Sequence, residues 1–127
     1  MNPKVKTTVN LALKGIKNIL LVEPMSYEIF TYVMKFSYII LTDSGGIQEE
    51  APSLGKPVLV MRDLTERQEA VEAGTVKLVG CEKKTIISCV SDLLDNQDSY
   101  KKMSNVANPY GDGLASKKII KFLKNIF

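Results

Sequence analysis

Short apolar runs alternate with amphipathic stretches along the whole chain. Val5, Val9, Ala12, Leu13 and Ile16 fall at helical spacing and predict a first helix over 5–16, with Gly15 near its end. Asn18 to Val22 is a short apolar run closed by Glu23-Pro24 and reads as a buried strand. Ser26 is placed to cap a helix through Tyr27 to Lys35, with Glu28 early in it. Tyr38 to Thr42 is a second strand, Gly46 to Leu54 a short helix, and Pro57 to Met61 a third strand. A helix over Thr65 to Ala73 and a fourth strand at Val76 to Val79 follow. Thr85 to Leu94, Asp98 to Val106 and Ala115 to Ile126 complete the helices, the last two separated by a tight loop, Asn108-Pro109-Tyr110-Gly111-Asp112-Gly113. Strands that are continuous β-branched or leucine runs, alternating with helices, mean a parallel sheet covered on both faces, so the fold class is α/β.

Composition changes this picture little. A chain of 127 residues with 45% hydrophobic and 24% charged residues reads as one globular domain. A net charge of +3 is too small to point to nucleic acid, and Lys117, Lys118, Lys121 and Lys124 suit a solvated face of the last helix. Cys81 and Cys89 form neither a CxxC pair nor a metal-ligand cluster and read as reduced thiols, the expectation for a cytoplasmic protein. No apolar run approaches the roughly 18 residues of a membrane span, and the opening residues do not read as a signal peptide. The absence of histidine carries more weight. It excludes a Ser-His or Cys-His nucleophile and a histidine base within these residues, and it disfavours a zinc site.

The chemistry concentrates at residues 41–57. An apolar strand ends at Asp43, a Ser44-Gly45-Gly46 turn follows, and a helical stretch then bears Glu49 and Glu50. The first N–H groups of a helix have no intrahelical partner and carry partial positive charge, and glycines let a diphosphate approach the backbone closely. Ser44 can cap the helix through its hydroxyl. Glu50, four residues after Gly46, shares its helical face about 6 Å along the axis, where a carboxylate could accept bonds from a vicinal diol such as a ribose. Pro52 removes an N–H and is expected to bend or end the first helical segment. The plain alternative is a simple strand-to-helix turn, with Glu49 and Glu50 complementing the helix dipole. A second polar loop, Arg62 to Arg67, follows the next strand. Ligands of open α/β sheets bind beyond the carboxyl ends of strands, which brings this loop and the glycine turn to one edge. Arg67 then suits a phosphate or carboxylate, or else pairs at the surface with Glu66 or Glu69.

Several segments together carry a resemblance. Thr42 to Pro52, Gly55-Lys56-Pro57-Val58-Leu59, Thr65-Glu66-Arg67 with Glu69-Ala70, Gly74-Thr75 and Asn108 to Gly113 are similar, in order, to motifs of the non-hydrolysing UDP-N-acetylglucosamine 2-epimerases. The resemblance runs from Asn2-Pro3 almost to the last residue. It implies a GT-B architecture, two Rossmann-like domains with the substrate between them, of which this chain would be the C-terminal part of the UDP-binding domain. It also implies interconversion of UDP-GlcNAc and UDP-ManNAc for surface polysaccharides, by loss of the C2 proton, elimination of UDP and re-addition. Ser44, Gly45 and Gly46 would hold the diphosphate, Glu50 the ribose hydroxyls, Phe30 would lie by the uracil, and Arg67 would reach the phosphates. No metal or cofactor is implied.

Residue 68 is Gln where the family usually has proline, which implies a less rigid loop around Arg67. The family's catalytic carboxylates belong to its first domain and a motif histidine precedes the matched positions, so no catalytic residue is expected in this chain. In the strand order 3-2-1-4-5-6, the first and second strands would be missing. Ile19 to Val22 must then pair with Tyr38 to Thr42, stay loose, or pair with another chain. The expected partners are a UDP-sugar and either the missing N-terminal half or another copy of the chain, with no nucleic acid or membrane. The alternatives are a non-catalytic nucleotide-sugar binding module, an inactive relic and a fragment of a GT-B glycosyltransferase.

Overall fold

Val58, Leu59 and Val60 form the central strand of a three-stranded parallel sheet in the computed structural model, which describes residues 3–126. The order of elements is α1 (Pro3–Leu13), α2 (Tyr27–Phe36), β1 (Ile40–Thr42), α3 (Gly45–Glu50), a 3-10 turn (Ala51–Leu54), β2 (Val58–Val60), α4 (Gln68–Ala73), β3 (Val76–Leu78), α5 (Lys83–Asp95), α6 (Gln97–Ser104) and α7 (Ala115–Leu123). Two compact units divide them, one up to Val33 and one from Met34 onward.

In the first unit, α1 is followed by Gly15 with φ +88, the left-handed geometry expected just past a helix end. Lys6 pairs with Glu23 across the irregular segment that follows. That segment overturns one expectation: 19–22 forms no strand, Leu20 is 85% exposed, and the sheet has three strands rather than four. A strand needs a neighbour for its row of N–H and C=O groups, and an apolar run without one stays irregular.

In the second unit the register is Ile40–Val58–Val76, Leu41–Leu59–Lys77 and Thr42–Val60–Leu78. Because strand side chains alternate between faces, β2 splits the core in two. Val58 and Val60 enter one cluster with Met34, Ala51, Ala70 and Val76. Leu59 enters the other with Val79 and Leu93, bordered by Ile86, Cys89, Val90 and Met103 from α5 and α6. All three β2 side chains are buried, the pattern of a central parallel strand.

Local chemistry sets the element ends. Glu82 accepts the Thr85 N–H and starts α5, and Asn96 accepts the N–H groups of Asp98 and Ser99 and starts α6. Tyr100 of α6 stacks on Tyr38 with ring centroids 4.1 Å apart and donates its hydroxyl to the Tyr38 carbonyl at 3.2 Å. Together these contacts bring α6 to the entry of β1. As Pro52 implies, α3 ends at Glu50, and the chain passes into a 3-10 turn closed by Gly55 at φ +65. The last predicted helix is shorter than the apolar pattern suggests, ending at Leu123.

Candidate functional site

The site lies where β1 and β2 end. Met61 donates its N–H to the Thr42 carbonyl at 2.8 Å, so the chain leaves both strands at the same edge. Ser44 stands at the N-cap position of α3 in extended conformation, and its own N–H is held by the Thr42 hydroxyl at 3.0 Å. Its hydroxyl makes no capping bond, contrary to the expectation from sequence. Ser44 Oγ therefore does not close the start of α3, where a helix's first N–H groups have no intrahelical partner.

The glycines define open space flanked by polar groups. A Cβ built on Gly45 would lie 3.9 Å from Arg67 Nη2, and one on Gly46 would lie 4.0 Å from both Glu50 Oε1 and Ser44 Oγ. Ser44, Gly45, Gly46, Glu50 and Arg67 are therefore brought together around the two missing side chains. Phe30 lies on α2 in the first unit, whereas this cluster belongs wholly to the second.

Arg67 donates Nε to Glu49 Oε1 at 2.6 Å and Nη1 to Glu66 Oε2 at 3.0 Å. The Glu49 carboxylate, then Glu66, hold the guanidinium above its ordinary pKa. The expected surface partner Glu66 is present, but the second partner is Glu49 rather than Glu69. Nor do Glu49 and Glu50 complement the dipole of α3. Its first turn contains no acid, and both carboxylates stand at the C-terminal end, where negative charge is disfavoured.

The helix expected from Thr65 begins only at Gln68. The Thr65 hydroxyl accepts the Arg67 N–H at 3.1 Å, which replaces the first helical turn with a side-chain-closed turn. Gln68 donates Nε2 to the Thr65 carbonyl at 2.8 Å, so the residue that stands in place of proline ties the loop back on itself.

Three contributors had no role from sequence. Gln48 is fully buried and bonded at both ends of its amide, to the Ser44 carbonyl and the Thr65 hydroxyl. Its four-residue spacing from Ser44 was the available signal. Burial, then the charge of Glu69, pushes the Tyr110 phenol up. Asn108 fixes that loop by donating to Ser53 Oγ and accepting the Tyr110 N–H. The 108–113 loop, read from sequence as a tight turn and as one of the segments that carry the resemblance, is thus tied to Ser53 of the 3-10 turn.

Among the described residues no group of three His, Cys, Asp or Glu side chains could hold a metal ion, and no helix is long and apolar enough to cross a membrane. At this sheet edge the structure gathers two glycines at a helix start, one guanidinium oriented by two carboxylates, and the Glu50 carboxylate.

Comparison with known proteins identifies the family. The sequence profile of the family described as UDP-N-acetylglucosamine 2-epimerase matches residues 1–124, and the chain belongs to this family. It is 60% identical over 123 residues to a UDP-N-acetylglucosamine 2-epimerase of Campylobacter jejuni, covering 97% of this chain and 32% of the relative. The structure of the Neisseria meningitidis UDP-GlcNAc 2-epimerase bound to UDP-GlcNAc superposes with TM-score 0.90 at 54% identity, over 98% of this chain and 34% of that one. A putative UDP-N-acetylglucosamine 2-epimerase from Listeria monocytogenes superposes with TM-score 0.93 at 48% identity, over 100% and 34%. The chain therefore spans about a third of the length of the relatives it matches.

Proposed function

We propose that this chain is the C-terminal part of the UDP-binding, Rossmann-like domain of a UDP-N-acetylglucosamine 2-epimerase, and that it holds the leaving group while residues outside it move the proton. The carrying observation is the set of groups around Gly45 and Gly46: Ser44 Oγ and Glu50 Oε1 on one side, Arg67 Nη2 on the other. Backbone N–H groups at the start of α3 and the Ser44 hydroxyl receive the diphosphate oxygens, and Arg67 meets their outer edge. Glu50 accepts from the ribose hydroxyls.

In the reaction UDP-GlcNAc loses its C2 proton and the C1–O bond breaks, releasing UDP and a 2-acetamidoglucal. Reprotonation of C2 on the other face and return of UDP to C1 give UDP-ManNAc. The developing charge on the departing diphosphate is what the glycine turn stabilises. One guanidinium already shared by two carboxylates is a modest anion trap, which fits a site completed by another part of a longer protein or by another copy of the chain. The Neisseria relative with bound UDP-GlcNAc supports the ligand class. The cytoplasm, where nucleotide sugars are made, is the proposed location.

Calorimetry with UDP tests the reading. Binding by the chain that is lost in Glu50→Ala is expected, and absence of heat at millimolar UDP would overturn it. Epimerisation by the isolated chain would overturn the assignment of proton transfer to residues elsewhere.

A further inference from the structure

We infer that Gln48 is a positioning residue that couples the glycine turn to Arg67, so that the two halves of the anion site move as one. This rests on the diphosphate-binding reading above and adds to it a group that need not touch the ligand. The observation is an uninterrupted polar path. Gln48 Nε2 donates to the Ser44 carbonyl at 3.2 Å, and Gln48 Oε1 accepts from Thr65 Oγ1 at 2.6 Å. Thr65 Oγ1 in turn accepts the backbone N–H of Arg67 at 3.1 Å. Ser44 and Arg67 lie on different loops, 23 residues apart (67 − 44), and this path spans the gap between them.

Burial makes the path stiff. Gln48 is 0% exposed, and a buried amide that loses a partner pays the full desolvation penalty of the orphaned group. The Gln48 side chain therefore has one good arrangement, the one that serves both loops. The Thr65 hydroxyl has one hydrogen to donate. With Gln48 taking it, its lone pairs face the Arg67 N–H, which sets the backbone from which the guanidinium extends toward Gly45. Glu49 and Glu66 then orient the far end of that side chain.

Thr65→Val removes the hydroxyl at nearly constant shape, Thr65→Ser restores it, and Gln48→Leu removes both amide bonds. Thr65→Val and Gln48→Leu are each expected to weaken UDP binding about tenfold, the loss of one charge-assisted contact, with Thr65→Ser close to the unsubstituted chain. In an Arg67→Ala background Thr65→Val is expected to cost nothing further, because its effect travels through Arg67. A merely structural threonine would give losses that add in full, and that result, or unchanged binding in Thr65→Val beside weakened Arg67→Ala, overturns the coupling. A ligand-free measurement separates this inference from the binding reading: the Arg67 Nε–H, which donates to Glu49, is expected to exchange more slowly in the unsubstituted chain than in Thr65→Val. If UDP gives no heat with the unsubstituted chain, the binding reading fails, and unchanged Nε–H protection in Thr65→Val sinks the coupling by itself.

Discussion

Arg67 Nε lies 2.6 Å from Glu49 Oε1, so a guanidinium from the loop after β2 is tied to a carboxylate on the helix after β1. Glu49 is 43% exposed at its side chain, and ion pairs of this exposure contribute little to stability. The pair matters as orientation. With Nε and Nη1 engaged by Glu49 and Glu66, the Nη2 edge is left facing Gly45.

Arg67→Lys should therefore fail as a substitute. An ammonium cannot reproduce the planar fork, so it can satisfy the carboxylates or face the turn but not both. The expectation is about tenfold weaker UDP binding with an unchanged melting temperature. Equal affinity in calorimetry would mean that Arg67 acts only as a point charge.

Gly45→Ala should separate folding from binding. Gly45 is helical and its missing Cβ would meet nothing closer than Arg67 at 3.9 Å, so alanine fits the free protein. Exchange of a helical glycine for alanine should raise stability by about 0.5–1 kcal/mol in urea titration. On the proposed reading the same methyl would occupy the approach of the diphosphate, and UDP binding should fall. A variant that binds UDP normally would move the phosphate site elsewhere.

Leu59→Ala should be the costlier core change. Leu59 is 0% exposed at the centre of the sheet and anchors the cluster facing α5 and α6. About 2–5 kcal/mol is expected for such a truncation, a large fraction of the stability of a chain with a three-stranded sheet. Urea unfolding followed by circular dichroism measures it, and a loss under about 1 kcal/mol would show that the site collapses around the gap.

Tyr100 gives the pH dependence. Burial, then the neighbouring Tyr38, raises the Tyr100 pKa above its ordinary value. A raised folded-state pKa means that the folded chain holds the proton more tightly. The associated stability is complete below the ordinary phenol value of about 10 and is lost as the pH rises through the folded pKa. Tyr100→Phe should cost about 0.5–1.5 kcal/mol at neutral pH through the lost bond to the Tyr38 carbonyl. It should also flatten the alkaline decline in melting temperature. An alkaline limb as steep as that of the unsubstituted chain would assign it to another group.

The apolar side of α7 predicts association. Ile119, Ile120, Phe122 and Leu123 are 46–65% exposed. An exposed patch of this kind marks an interface or drives aggregation. Light scattering should show dimers or larger species at micromolar concentration, reduced by Phe122→Ser with Ile120→Lys. A stable monomer with one cooperative unfolding transition would count against this.

Much of this molecule could be read from local pattern. The apolar run at 58–60, the helical spacings of α5 and the glycines that open α3 depend on periodicity and backbone sterics, which act within a few residues. Ser44, Gly45, Gly46, Glu50 and Arg67 converge because parallel strands point their carboxyl ends to one edge, a rule that needs only the order of elements. The run Ile19 to Val22 has the composition of a strand and forms none, since a strand exists only with a neighbour to bond. Thr65 looks like the start of a helix and instead closes a turn, because Gln48, 17 residues away, takes its hydrogen. The partners of Arg67 and the burial of Gln48 belong to the same kind. Hydrogen bonds and ion pairs between distant residues depend on which side chains folding brings within about 3 Å, and only the packed chain settles that.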